Sequence, residues 1–207
     1  MAKHGGLKVA ASLNFIIFSL SGSVLMTLLT SPWLYRPFIT WFQLEQLTGL
    51  SYYQIALTYD EIIKFLLNPQ QKSFSLSYFA SSAQGAQHFV DVKFLIFLLI
   101  VIFMISAGGL IYFLQSKRKR RLKRQIETYF YFSMALPIFL LLAMIFAFDR
   151  FFILFHQVLF ANDYWLLNPA TDPVIQILPQ EFFFLVFFVA ILGYELIQFG
   201  LYSWVRR

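Results

Sequence analysis

Four stretches of this chain, residues 9–29, 92–114, 129–148 and 182–204, are apolar over about 20 residues each, the length a helix needs to cross a hydrocarbon core. Within lipid every backbone N–H and C=O must be satisfied inside the chain, so stretches of this length are helices. The composition agrees, with 59% hydrophobic residues and only 13% charged, against about a quarter charged in soluble domains. The reading is all-α: an integral membrane four-helix bundle forming one domain over residues 1–207. The first stretch contains Asn14 with several serines and glycines, so it is expected to pack on neighbouring helices. Lys3 and Lys8 precede it as in a secretory signal. Its apolar run is too long for one and no Ala-x-Ala cleavage site follows, so it reads as a retained helix.

The basic residues set an orientation. Residues 117–124 carry seven positive charges between spans two and three, Lys3 and Lys8 flank span one, and Arg206 and Arg207 follow span four. All three regions fall on one side, which the positive-inside rule makes cytoplasmic. A cytoplasmic basic loop over 115–128 and outside loops over 30–91 and 149–181 follow. Up to residue 180 those outside loops hold only Arg36, Lys64, Lys72 and Arg150 against seven acids. The net charge of +6 also suits nucleic acid, but a short basic linker between spans is a topology determinant, with attraction to anionic lipid secondary. No nucleic-acid partner is expected, since nothing else in the chain resembles such a module.

The first outside loop is too long for a plain connector. After Ser51, residues Tyr52, Ile55, Ala56, Tyr59, Ile62, Ile63 and Leu66 recur at helical spacing. This predicts an amphipathic helix in the outer interface that ends at Asn68-Pro69. Trp33, Tyr35 and Trp41 upstream suit an aromatic belt. Past Ser81-Ser82, a candidate N-cap, a helix runs into span two and places Gln84, His88, Asp91 and Leu95 on one face. Lys93 points elsewhere, with its amine expected to snorkel to the interface. The second loop opens with Asp149-Arg150 and an aromatic helix bearing His156, which ends at Asn162-Asp163. Asn168-Pro169, Asp172-Pro173 and Leu178-Pro179 then impose extended or turn geometry, as in a re-entrant or interfacial segment before span four.

His88 and His156 are therefore expected on the same side of the membrane, each with an aspartate close in sequence. Ionisable groups at membrane depth are expensive and mark sites. Asp163 and Asp172 equally suit turn or capping roles, and Glu195, deep in span four beside Tyr194 and Gln198, reads as a packed structural acid. The chain has no cysteine, which excludes a thiol nucleophile and thiolate metal ligands.

The block FHQVLFANDYWLLNPATDPVIQILPQEFF (155–183), the shorter QHFVDVK (87–93) and the four-span layout resemble the lipoprotein intramolecular transacylases (Lit), small integral membrane proteins of low-GC Gram-positive bacteria. Where members of that family carry an acid shortly before the first histidine, this chain has Gln84, Gly85 and Gln87. The resemblance implies an acyltransferase that moves the sn-2 acyl chain of a diacylglyceryl-modified lipoprotein onto the amine of its N-terminal cysteine. The product is a lyso-form lipoprotein. His88 and His156 become the catalytic pair, supported by Asp91, Asn162 and Asp163, with Trp165, Arg150 and Asp172 as candidate substrate contacts. No cofactor or metal is implied; the partners are the lipoprotein and membrane lipid.

The residue types fit that chemistry. Ester-to-amide transfer is downhill and needs no nucleotide. Histidine, with an unperturbed pKa of about 6.5, can accept the amine's proton and return one to the leaving oxygen. Asp91 or Asp163 could steady an imidazolium, and Asn162 or a backbone N–H could face the oxyanion. Two other readings use the same residues: a metal-dependent membrane hydrolase built on the histidines and aspartates, and a non-enzymatic transporter or complex subunit with a His/Asp proton relay.

Overall fold

A computed structural model describes residues 2–115 and 119–206, with side chains described for 9–115 and 129–204. In chain order the elements are α1 (Ala2–Trp41), α2 (Leu44–Thr48), α3 (Tyr52–Leu67), α4 (Ala83–Gln115), α5 (Lys119–Leu159), a 3-10 turn over Pro173–Ile177, and α6 (Gln180–Arg206). The described residues form no strand. Four helical segments, Val9–Trp41, Ala83–Gln115, Tyr129–Leu159 and Gln180–Trp204, are long and apolar enough to cross a membrane.

Two boundaries differ from expectation. α1 does not stop near residue 29 but continues to Trp41 through Pro32 and Pro37. Proline removes a donor for the carbonyl four residues back, and at Pro32 the loss is made good locally, because the Ser31 hydroxyl donates to the Leu28 carbonyl at 2.8 Å. The expected loop 115–128 is helical from Lys119 onward; Lys, Arg, Gln and Glu are strong helix formers, so the basic run extends α5. Lys117 and Arg118 lie outside the described residues. α5 is also broken at Ala147, whose φ of −150° and ψ of 46° are not helical. The break falls where the third span was expected to end and the aromatic helix to begin.

The chain divides into two compact units. The first comprises 1–27, 98–146 and 188–207. Its core is Phe15, Leu110, Phe113 and Phe130, with Phe15 edge-on to Phe113 at 5.0 Å between ring centroids. Asn14 packs on a neighbouring helix as expected: its amide donates to the Ser106 carbonyl at 3.1 Å, and a Cβ at Gly109 would strike that same amide. Pro137 strips a donor from the Ser133 carbonyl, and the Tyr194 hydroxyl replaces it at 3.1 Å. Polar side chains in this unit thus satisfy the backbone groups that proline leaves open, as a membrane interior demands. Both carboxyl oxygens of Glu195 are buried.

The second unit comprises 28–97 and 147–187 and contains everything on which the site rests. Ser51 and Gln54 form a reciprocal capping box at the start of α3, and Asn68 closes it, as its sequence predicts. Its apolar face is buried with Tyr35, Phe38, Ile39 and Phe182 in one hydrophobic core, so protein covers the face expected to lie in the membrane interface. Tyr35 is a second correction: it is fully buried, stacked on Tyr59 at 4.1 Å, with its hydroxyl donating to the Ile177 carbonyl at 2.6 Å. Trp33 and Trp41 are exposed, as a belt requires. Tyr35 instead ties α1 to the proline-punctuated segment, whose Val174, Ile177 and Leu178 are buried in the same core. The Lys93 amine donates to the Gln71 carbonyl of the first outside loop and lies over the Phe65 ring at 4.2 Å.

Candidate active site

The site is assembled at the N-terminal turns of α4 and the C-terminal turn of α5. α4 begins where expected: the Ser82 hydroxyl accepts from the Gly85 N–H at 2.9 Å, an N-cap bond. Beyond this cap stands Asp172, buried to 3% exposure. Its carboxylate accepts from the Ser82 N–H, the Ser82 hydroxyl and the Thr171 hydroxyl, each at 2.8 Å. An anion at a helix N-terminus also meets the positive end of the helix dipole. The approach is so close that a Cβ at Gly85 would run into the carboxylate. Gly85, which costs about 1 kcal/mol in a helix relative to alanine, is therefore required by its neighbour.

His88 lies one turn further along α4, and His156 one turn from the end of α5. Both are buried to 8% exposure, with ring centroids 6.0 Å apart. Phe160, four residues after His156, packs against both imidazoles, at 4.9 Å from His88 and 5.7 Å from His156. Trp165 stacks on His156 at 4.8 Å and 28°. The His156 ring is thus held between aromatic faces, and its Nδ1 lies 2.7 Å from the Phe152 carbonyl oxygen. A carbonyl can only accept, so Nδ1 carries the hydrogen, and in the neutral ring Nε2 holds the free lone pair. The His88 Nδ1 is buried and has no partner among the described residues.

The expected carboxylates place their hydrogen bonds elsewhere. Asp91 accepts from the Gln87 side-chain amide at 2.7 Å and from the Asn162 amide at 3.1 Å. The second bond fastens the chain leaving α5 onto α4, and neither histidine takes part in either. Asp163 is exposed and contributes its carbonyl to a turn, accepting from the Leu166 N–H at 3.0 Å. The partner that orients His156 is the Phe152 carbonyl. Arg150 is exposed on α5, and Asp172 caps α4. Of the expected residues, His88, His156 and Trp165 share one aromatic cluster, and Asp91 and Asn162 brace it. Among the described residues no group of three or more His, Asp or Glu gathers at metal-holding spacing.

Sequence reasoning passed over the Phe152 carbonyl, Phe160 and the Ser82–Asp172–Gly85 contact. The first two had a signal, since residues four before and four after a helical histidine lie on its face. Gly85 in a first turn was a signal of close approach. Its partner, 87 residues away, had none.

The comparisons with known proteins agree with this fold. The family model described as lipoprotein intramolecular transacylase Lit matches residues 9–183. The in meso structure of the membrane integral lipoprotein intramolecular transacylase Lit from Bacillus cereus is 27% identical and superposes with a TM-score of 0.72, over 98% of this chain and 97% of that one. Two histidine variants of that protein, one to arginine and one to alanine, give TM-scores of 0.73 and 0.69, both at 27% identity. The arginine variant covers 99% of this chain and 93% of its own, the alanine variant 99% and 96%. No curated protein matches. The fold and the family match are those of a helical integral membrane acyltransferase. The chain belongs to the lipoprotein intramolecular transacylase family, Lit.

Proposed function

We propose that this protein transfers the sn-2 acyl chain of a diacylglyceryl-modified lipoprotein to the α-amine of that lipoprotein's N-terminal cysteine, with His88 and His156 as the catalytic pair. The observation that carries the reading is the buried imidazole pair, 6.0 Å apart between centroids, with the tautomer of one ring set by a backbone carbonyl. His156 is the base. Its Nδ1–H is held by Phe152 and its Nε2 lone pair is available to the substrate.

Each step balances. The neutral amine attacks the ester carbonyl carbon, an N–C bond forms, and the carbonyl π pair moves to oxygen. The amine's proton passes to His156 Nε2. The oxyanion then collapses, the C–O bond to glycerol breaks, and the glyceryl oxygen takes its proton from the imidazolium. Direct attack closes a ring of roughly eight members within the substrate, so holding the substrate folded recovers much of the entropic barrier. No acyl-enzyme is required. His88, beside the same centre, hydrogen-bonds the glyceryl oxygen as it leaves.

The distribution of basic residues supports a cytoplasmic face for both chain ends and 117–124, and with it histidines at the outer leaflet, where a lipid-anchored substrate presents its ester. The test is mass spectrometry of lipopeptides formed from a diacylglyceryl lipoprotein in the presence and absence of the protein. The expected product keeps the mass of the substrate and carries one acyl chain on nitrogen and one on glycerol. Release of free fatty acid in place of that isomer would identify a hydrolase.

A further inference from the structure

Transfer by this route puts negative charge on the carbonyl oxygen of the migrating acyl group, and a site organised for it must hold a donor there. Asn162, the side chain that sequence suggests for that role, is engaged at both ends. Its amide nitrogen donates to Asp91 at 3.1 Å, and its oxygen accepts from the Tyr164 N–H at 3.1 Å. Asp91 and Asp172 can only accept, and Arg150 stands exposed.

Besides the His88 ring, which the proposed mechanism assigns to the glyceryl oxygen, one side-chain N–H in the cluster remains. The indole nitrogen of Trp165 is buried and has no hydrogen-bond partner among the described residues. Trp165 is 9% exposed, and its ring stacks on His156 at 4.8 Å and 28°. The indole N–H can only donate, and leaving such a donor buried and unpaired is costly, so its partner is to be sought in a ligand. The second unpaired ring atom of this cluster is the His88 Nδ1. Both ring nitrogens are therefore available to a polar substrate beside the imidazole pair.

We propose that the Trp165 indole N–H is the oxyanion donor, hydrogen-bonding the acyl carbonyl oxygen as the amine attacks while the indole face steadies the His156 imidazolium. This deepens the transacylase reading and rests on it. Trp165 keeps its own hydrogen throughout; the proton that moves is the amine's, to His156 and then to the glyceryl oxygen. The stack adds to the same end, since a cation over an aromatic face is favoured most by indole. Both charges that appear in the transition state, the oxyanion and the imidazolium, then fall against one side chain.

The experiment replaces Trp165 in the full-length, membrane-reconstituted protein in two ways and follows lipopeptide conversion by mass spectrometry. Trp165→Phe keeps an aromatic face over His156 without the N–H. Incorporation of 3-benzothienylalanine at position 165 keeps size and stacking and puts sulfur in place of the N–H. Both variants are expected to lose roughly 10²-fold in kcat with KM near the wild-type value, because the bond strengthens only as charge develops. Wild-type kcat in the benzothienyl variant would overturn the donor role even if the phenylalanine variant were inactive, since packing would then explain the loss. A rise in KM alone would also overturn it, by assigning Trp165 to ground-state binding. If the wild-type protein itself formed no N-acyl isomer, the transacylase reading would fail, and this inference with it.

Discussion

The buried carboxylate of Asp172 takes both the backbone N–H and the hydroxyl of Ser82 at 2.8 Å, so the proline-punctuated segment before α6 caps the helix that carries His88. Position of the His88 imidazole therefore depends on a residue 84 places further along the chain. Asp172→Ala should lower stability by about 1–3 kcal/mol, the usual result of stranding buried donors. It should also lower acyl transfer while leaving the protein inserted. Thermal unfolding in lipid or detergent, read beside the lipopeptide assay, checks both effects.

Gly85 and Asp172 should be energetically coupled. A Cβ at residue 85 meets the Asp172 carboxylate, so Gly85→Ala should destabilise the wild-type protein despite alanine's intrinsic helix advantage of about 1 kcal/mol. In an Asp172→Ala background only the end of the Leu167 side chain, 3.2 Å from such a Cβ, has to give, so the same substitution should cost much less. A double-mutant cycle on unfolding free energies should show coupling of roughly 0.5–3 kcal/mol. Additive effects would mean the contact is not made.

Substituting either imidazole should remove transfer. His88→Ala and His156→Ala are each expected to lose about 10²–10⁴-fold, the range of general acid–base groups. Asp91→Asn and Asn162→Ala should weaken activity without ending it, since they loosen the brace between α4 and the chain after α5 and leave both rings in place. The two should be less than additive when combined, because they break one hydrogen bond. Near wild-type conversion in both histidine variants would end the His-based mechanism.

Orientation can be tested against an empty background, because the chain has no cysteine. Gln84→Cys and Ala161→Cys, both at exposed positions near the histidines, should react in intact cells with a membrane-impermeant thiol reagent. Arg120→Cys should react only after lysis. The reverse pattern would invert the topology and take the site away from the outer leaflet.

What the sequence determined follows from short-range rules. Helical spacing and the Ser51, Ser82 and Asn68 caps fixed α3 and the start of α4, because caps and periodicity act over one or two turns. Apolar length gave four helices, and a membrane permits nothing else there. His88 and His156 were legible as a pair, since membrane-border imidazoles with nearby acids are rare. Tertiary structure decided what surrounds them. Pairing of Asp91 with Asn162, of Asp172 with Ser82, and of Tyr35 with Ile177 joins residues 71, 90 and 142 apart. No local pattern encodes such contacts, because a carboxylate bonds whichever donor the packing of distant helices brings to it. For the same reason Tyr35 looked like a belt residue and is core, and Asp163 looked like the partner of His156, whose ring is oriented by the Phe152 carbonyl.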